Sequence, residues 1–206
     1  MIVINMSRTF FISDTHFHHK SVLTYQPIRI KKLVQYYQSS GKFGTISAED
    51  IEKRIYEMMT TDEGYNEVIC DHDKMLIKEW NSVVKPSDTV WFLGDFSLHD
   101  REYTKTIISK LNGHKRMIKG NHDNWSNSFY KDAGFEYISQ YPIILKRRFI
   151  LSHTPMPAPT STDYYYIYGH VHDNPSIFDG LPNASCVCVE RTDFKPIRIK
   201  EFDMAQ

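Results

Sequence analysis

Cysteine is nearly missing from this chain: Cys70, Cys186 and Cys188 are the only three in 206 residues. An odd number at no framework spacing excludes a disulfide-stapled scaffold and points to a reducing compartment. Cys186 and Cys188 flank a single residue, so on a strand both would face one side with backbones poorly placed to bridge. Long apolar runs are missing too, and Met1 to Asn5 carry neither a basic stretch nor a small-residue cleavage site. The reading is a cytoplasmic protein with no membrane partner and no signal peptide. Net charge is the third absence, since Lys plus Arg and Asp plus Glu both number 25. No whole-molecule field therefore gathers a polyanion.

Apolar residues, at 41% with 14% aromatic, suffice for a sizeable core, and 206 residues fit one domain over 1–206. Strand patterns occupy 9–12, 89–93, 116–118, 142–145, 149–151 and 164–168, while 185–190 with 197–199 read as a closing hairpin. Helical patterns cover 28–37, a stretch capped by Ser47 with Asp50 at the capping-box position, 67–84, 101–111 and 126–133. Alternating strands and helices followed by late strands predict an α/β fold with a sandwich of two sheets.

Five polar clusters each follow a run of β-branched or aromatic residues. They are Asp14-Thr15-His16, Gly94-Asp95, Gly120-Asn121-His122-Asp123, Ser152-His153 and Gly169-His170-Val171-His172. That is the place of loops at the carboxyl ends of strands, where open α/β sheets collect ligands. Asp14, His16, Asp95, Asn121, His153, His170 and His172 supply two carboxylates, one amide oxygen and four imidazoles. Such a donor set suits two divalent ions side by side. Asp14 and His16, two apart on a strand end, can chelate one ion, and Asp95 can bridge two with its two oxygens. Two ions bring four positive charges and two carboxylates remove two. The site stays cationic, favours phosphate oxygens and acidifies a bridging water, whose hydroxide would attack phosphorus in line. His122 is left over. A histidine near neutrality can protonate a departing oxygen, and Asp123 is in place to orient it. Any one of these clusters is weak alone; their ordered combination carries the reading.

On these motifs the chain resembles the calcineurin-like metallophosphoesterase superfamily, and within it the small bacterial and phage phosphoesterases. Its pattern is Asp-x-His, Gly-Asp, Gly-Asn-His-Asp/Glu, His and Gly-His-x-His. Ile12-Ser13-Asp14-Thr15-His16-Phe17, Leu93-Gly94-Asp95-Phe96 and Ser152-His153-Thr154-Pro155 carry the likeness most closely. The resemblance implies a four-layer αββα sandwich and a dinuclear centre of Mn, Fe or Zn serving a phosphoric ester hydrolase. It implies Asp14, His16, Asp95 and His172 on one ion, Asp95, Asn121, His153 and His170 on the other, and His122 in catalysis.

Segment 28–66 departs from compact relatives. It is a helical insertion after the first strand, read either as a cap that selects substrate or as a helical pair packed on the sheet edge. His19 is a candidate substrate contact beside the first motif, whereas His72, His99 and His114 read as surface or helix-end residues. The 164–168 strand reads as burying alternate rings. The expected activity is hydrolysis of a small nucleotide-like or phosphorylated substrate, a diester first. A nuclease or RNA-end processing enzyme would need Lys31, Lys32, Lys115, Arg116, Arg147 and Arg148 gathered into one stripe; nucleic acid is thus open but not favoured. A non-catalytic metal-binding interaction scaffold has no chemical use for His122.

Overall fold

The computed structural model describes residues 7–156 and 163–205. Its first sheet consists of β1 (Thr9–Ile12), β2 (Thr89–Phe92), β3 (His114–Ile118) and β4 (Phe135–Ser139), in that order and parallel throughout. β1 and β2 are apolar on both faces because both faces are covered. Phe10, Ile12, Val90 and Phe92 meet the helices, while Phe11, Trp91 and Leu93 point the other way, the period-two alternation of an extended chain. Helices α1 (Lys20–Tyr25), α2 (Pro27–Ser40), α3 (Ala48–Met58), α4 (Asp62–Val83), α5 (Arg101–Lys110) and α6 (Asn127–Ala133) all bury side chains in that one outer cluster.

The second sheet has the order β5 (Ile143–Leu145), β6 (Phe149–Ser152), β7 (Tyr165–Tyr168), β8 (Ala184–Cys186), with only β5 and β6 antiparallel. Phe149, Leu151, Tyr165 and Ile167 meet Phe11, Trp91 and Leu93 to fill the space between the sheets. At one edge Phe202 of α7 (Lys200–Met204) seals this core, its ring 5.0 Å from Phe11 and 4.9 Å from Phe149.

Several expectations are corrected. The fourth layer is not helical among the described residues. Tyr166 and Tyr168 on the outer face of the second sheet are covered by Phe178, whose ring lies 5.2 Å from each. All four residues of β7 are consequently buried, not alternate rings alone. The closing hairpin does not form either. After β8 the chain crosses to the first sheet, with Ser13 N–H donating to Val187 O (2.9 Å) and Val189 N–H to Ser13 O (3.2 Å). A 3-10 turn over Val189–Arg191 follows, and Ile197 then pairs with Phe11. β1 is an edge strand, and this crossing segment takes up the backbone groups that β2 leaves unpaired.

α4 begins five residues before the expected start at 67, capped by Thr61, whose Oγ1 accepts from Gly64 N–H at 3.1 Å. Gly64 is therefore not loop punctuation. A Cβ there would stand 2.2 Å from Met58 O, so glycine allows the end of α3 to lie against the start of α4. The α1 turn and β4 carried no clear period. β4 has Glu136 and Tyr137 exposed, as befits the edge of the sheet.

Candidate metal centre

Five loops meet at one end of the two sheets, each leaving the carboxyl end of a strand: after β1 (Asp14, His16), β2 (Asp95), β3 (Asn121, His122), β6 (His153) and β7 (His170, His172). They come close because two glycines let them. A Cβ on Gly94, at φ +92°, would lie 2.5 Å from His153 Nδ1, and one on Gly169 would lie 2.4 Å from Ser13 Oγ. Asp14, His16, Asp95, His170 and His172 themselves adopt left-handed backbone, with φ of 59°, 48°, 60°, 74° and 52°. Non-glycine residues in that region cost roughly 1–3 kcal/mol each and persist only where the surrounding fold over-determines them.

Asp14, His16 and His172 form one group of donors and Asp95, His153 and His170 a second, the atoms of each within 4.8 Å of one another. Asn121 joins the second group, its Oδ1 3.0 Å from His153 Nε2. Both carboxylates are tethered through one oxygen and present the other. Asp14 Oδ2 accepts from His170 N–H (2.8 Å) and from Cys188 S–H (3.3 Å), leaving Oδ1 toward the site. Asp95 Oδ1 accepts from His122 N–H at 2.9 Å, and Oδ2 lies 3.6 Å from His16 Nε2 and 3.5 Å from His153 Nε2. A single Asp95 oxygen thus lies between the groups, where both oxygens were expected to share the task.

Two observations test whether these residues fit metal ions. Asp14 Oδ1 and His16 Nε2 are buried and have no hydrogen-bond partner, a cost that a cation between them would remove. The imidazoles also have their tautomers set. His153 Nδ1–H donates to Leu93 O at 2.8 Å, and His172 Nδ1 is 2.9 Å from Glu190 Oε1, so in both rings Nε2 keeps its lone pair for the site. The residues fit. Burial pushes the Asp14 carboxyl up and the His16 imidazole well down. At Asp95 burial also pushes upward, but the hydrogen bond and charge of His153 hold the carboxyl below its usual range. Burial opposes charge on His153 too, yet Asp95 and Asp14 lift it to about 9. Acids and bases packed this way exchange their protons for a cation readily.

Residues 7–186 match the family model for calcineurin-like phosphoesterases. The chain belongs to that family. It is 27% identical over 205 residues to an uncharacterized protein of Methanocaldococcus jannaschii, covering 95% of this chain and 89% of that one. It is 33% identical over 121 residues to the Gene 66 protein of Mycobacterium phage L5, spanning 57% of this chain and 41% of the phage protein. A crystal structure from Aquifex aeolicus of a protein of unknown function shares the fold, with a TM-score of 0.59 at 24% identity over 96% of this chain and 98% of that one.

In this calcineurin-like phosphoesterase, Asp123 does not take the orienting role expected of it. Its Oδ2 accepts from Asp95 N–H (2.7 Å) and Gly120 N–H (2.8 Å), its Oδ1 from Phe96 N–H (3.0 Å) and Tyr130 O–H (3.3 Å). Burial lifts its carboxyl to about 6 despite these donors. Asp123 is a clamp between the loops after β2 and β3, with no hydrogen bond to the His122 ring. That ring is exposed and lies 5.4 Å from the ring of His16. His19 does come to the rim: its Nδ1 is 3.2 Å from His16 Nδ1, and burial pushes its pKa down. His18 turns away, its N–H on Asp73 Oδ1 at 3.0 Å and its ring 4.3 Å from that of His99.

Two important residues escaped sequence reasoning. Glu190, which holds His172, is itself held by Arg29 of α2, whose Nε–H donates to Oε1 at 2.8 Å. Arg29 is 0% exposed and also donates to Asp14 O (2.7 Å) and Thr15 O (2.9 Å). His72, expected at the surface, is fully buried beneath it with Nε2 3.1 Å from Arg29 Nη1. A charged residue on the buried face of α2 and another in the apolar run 186–190 were the available signals, since buried charges need partners. Nothing in the sequence paired them across 161 positions.

Proposed function

We propose that the protein is a metal-dependent phosphodiesterase that cleaves a P–O bond in a small nucleotide-like diester, working in a reducing, cytoplasmic setting. The observation that carries this reading is the pair of adjacent donor groups sharing Asp95, with His122 exposed beside them. Two divalent ions, Mn, Fe or Zn by the chemistry of the donors, would supply Lewis acidity toward phosphoryl oxygens and a water acid enough to attack at neutral pH. Asp14, His16 and His172 would hold one ion, and Asn121, His153 and His170 the other, with Asp95 shared between them.

His122 then serves as the general acid at the leaving oxygen. Its backbone N–H is tied to Asp95 Oδ1, which holds the residue at the rim while the ring stays uncommitted. His19 shares that rim and is suited to a non-bridging phosphate oxygen. A diester is favoured over a monoester by charge. Arg29 and Arg191 both meet the ligand loops, but Arg29 faces Glu190 and backbone carbonyls from beneath, and Arg191 is engaged by His172 O and Asp179. Neither guanidinium is left to meet a second phosphate charge. Against the nuclease reading stands the dispersal of its cations, with Lys32 on Asp193 at 2.7 Å and Lys115 Nζ turned in onto Leu111 O at 2.8 Å.

In our reading segment 28–66 is a brace more than a cap. Ile30, Leu33, Tyr37, Ile51 and Ile55 are buried in the helix-side core, and Arg29 reaches the ligand loops from there. The deciding experiment reconstitutes the protein with each metal, counts ions per chain and assays bis(p-nitrophenyl) phosphate beside p-nitrophenyl phosphate. Two ions bound without diester turnover would refute the proposal.

A further inference from the structure

One cleft of the molecule begins at His122. It encloses about 300 Å³ and is lined by Ser97, Leu98, His99, His122, Asn124 and Trp125. Its chemistry follows from these walls. Among the described residues no lysine, arginine, aspartate or glutamate lines it, so it offers no permanent charge to a further phosphate or to an ammonium. Leu98 leaves 36% of its surface exposed there. The Trp125 indole is held from outside the cleft, with the Arg101 guanidinium 4.8 Å from its centroid and the Phe129 ring at 5.8 Å. The Asn124 amide and the Trp125 indole N–H make no hydrogen bond among the described residues. A held aromatic surface, an apolar neighbour and two uncommitted hydrogen-bonding groups suit a flat, neutral, polar-edged ring.

The position says which part of the substrate this is. In an in-line displacement the leaving oxygen departs opposite the attacking water, and the general acid stands beside that oxygen. His122 forms one wall of the cleft, so whatever is bonded to the leaving oxygen lies within it. We infer that this cleft is the leaving-group subsite and that it takes a nucleoside, its base against Trp125 and Leu98. The inference rests on the phosphodiesterase reading above. The volume suits one small ligand and not a run of nucleotides.

The test uses metal-loaded full-length protein and two diesters, a thymidine dinucleotide and its analogue with an abasic deoxyribose in the leaving position. The wild type should favour the dinucleotide in kcat/KM by about tenfold or more, since stacking a base on an aromatic ring contributes on that scale. Trp125→Ala should take roughly tenfold to a hundredfold from the dinucleotide and bring the ratio of the two substrates near one. Leu98→Ala, at an exposed position, should move the ratio the same way and decides the matter if the tryptophan variant does not fold. A wild type indifferent to the base, or variants that slow both substrates equally, would overturn the subsite. If bis(p-nitrophenyl) phosphate is cleaved while the two leaving groups are treated alike, the subsite fails and the phosphodiesterase reading stands. If no diester is cleaved with both ions bound, both readings fall.

Discussion

Arg29→Met strips a buried carboxylate of its counter-charge. Glu190 has a fully buried side chain and sits 2.5 Å from Arg29 Nη2, and the same guanidinium serves the carbonyls of Asp14 and Thr15. Removing one partner of a buried pair costs about 3–5 kcal/mol, because the other charge is left without compensation. For a chain of 206 residues each kcal/mol shifts Tm by about 2–4 °C, so a fall of roughly 6–20 °C is expected. The double variant Arg29→Met/Glu190→Met removes both charges together and should regain most of that loss, since the desolvation penalty leaves with the pair. Metal affinity should not return with it, because His172 Nδ1 has lost its acceptor; losses of orienting partners are typically about 10- to 100-fold. Thermal unfolding and metal titration of the demetallated protein measure the two effects separately. An Arg29→Met variant within 2 °C of the wild type, or a double variant that binds metal like the wild type, would refute the reasoning.

Asp95→Ala should lose both ions, because Oδ2 lies between the two groups; elemental analysis showing two ions per chain would count against a shared ligand. His122→Ala should keep its metal and lose about 10²- to 10⁴-fold in rate on an alkoxide leaving group. The loss should be smaller for nitrophenolate, which needs no proton, and equal losses would sink the general-acid role. At Asp88, burial pushes the carboxyl up, but the Arg8 side chain and the Lys85 and Arg8 backbone N–H groups bring it to about 2. Its folded pKa lies below the ordinary 3.8, so its contribution is full above that pH and is lost as pH falls toward about 2. Urea unfolding of Asp88→Asn should accordingly show a shallower decline than the wild type over that acid range. Gly169→Ala would place a methyl 2.6 Å from Asp14 Oδ2 and should weaken metal binding more than it lowers Tm, which titration beside calorimetry can check.

The residues that the structure gathers into the two candidate donor groups could be read from sequence because each stands in a short loop directly after an apolar strand, where little chain separates the residue from its place. Asp123 could not be read that way. Adjacent to His122 in sequence, it accepts from the backbone N–H groups of Asp95, Phe96 and Gly120 and from the Tyr130 hydroxyl, and sequence adjacency carries no direction. The 185–190 segment shows the same limit for backbone. Its apolar pattern announced an extended, buried stretch, but not that the edge waiting for it was β1 in the other sheet. His72 was misjudged because polarity stood in for exposure, when Arg29 beneath the ligand loops gives a buried imidazole a partner. The outer layer over β7 was misjudged because a packed Phe178 can do for Tyr166 and Tyr168 what a helix does elsewhere.

The backbone at the centre explains why so much of the fold is spent on bracing it. Five of the proposed ligands hold left-handed φ values, together about 5–15 kcal/mol at the general cost of such residues, as much as a whole domain's net stability. Asp and His tolerate that region better than most residues, so the true figure lies toward the lower end. The strain can persist only if the loops have nowhere else to go. Asp123 ties the second and third loops together, Gly94 and Gly169 allow their contact with the loops of the other sheet, and Arg29 with Glu190 fixes the first loop to the last. Each tie comes from a residue that donates nothing to the metals. A site tied this way is preorganised for the proposed ions, because the hydrogen bonds that fix its loops do not run through them. The helices of segment 28–66 belong to the same logic. Arg29 enters beneath Asp14 from α2, and α2 is pinned by Ile30, Leu33 and Tyr37 in the helix-side core. Cutting out that segment would release the first ligand loop before it exposed any substrate, which is why its removal should appear first as lost metal and only second as altered specificity.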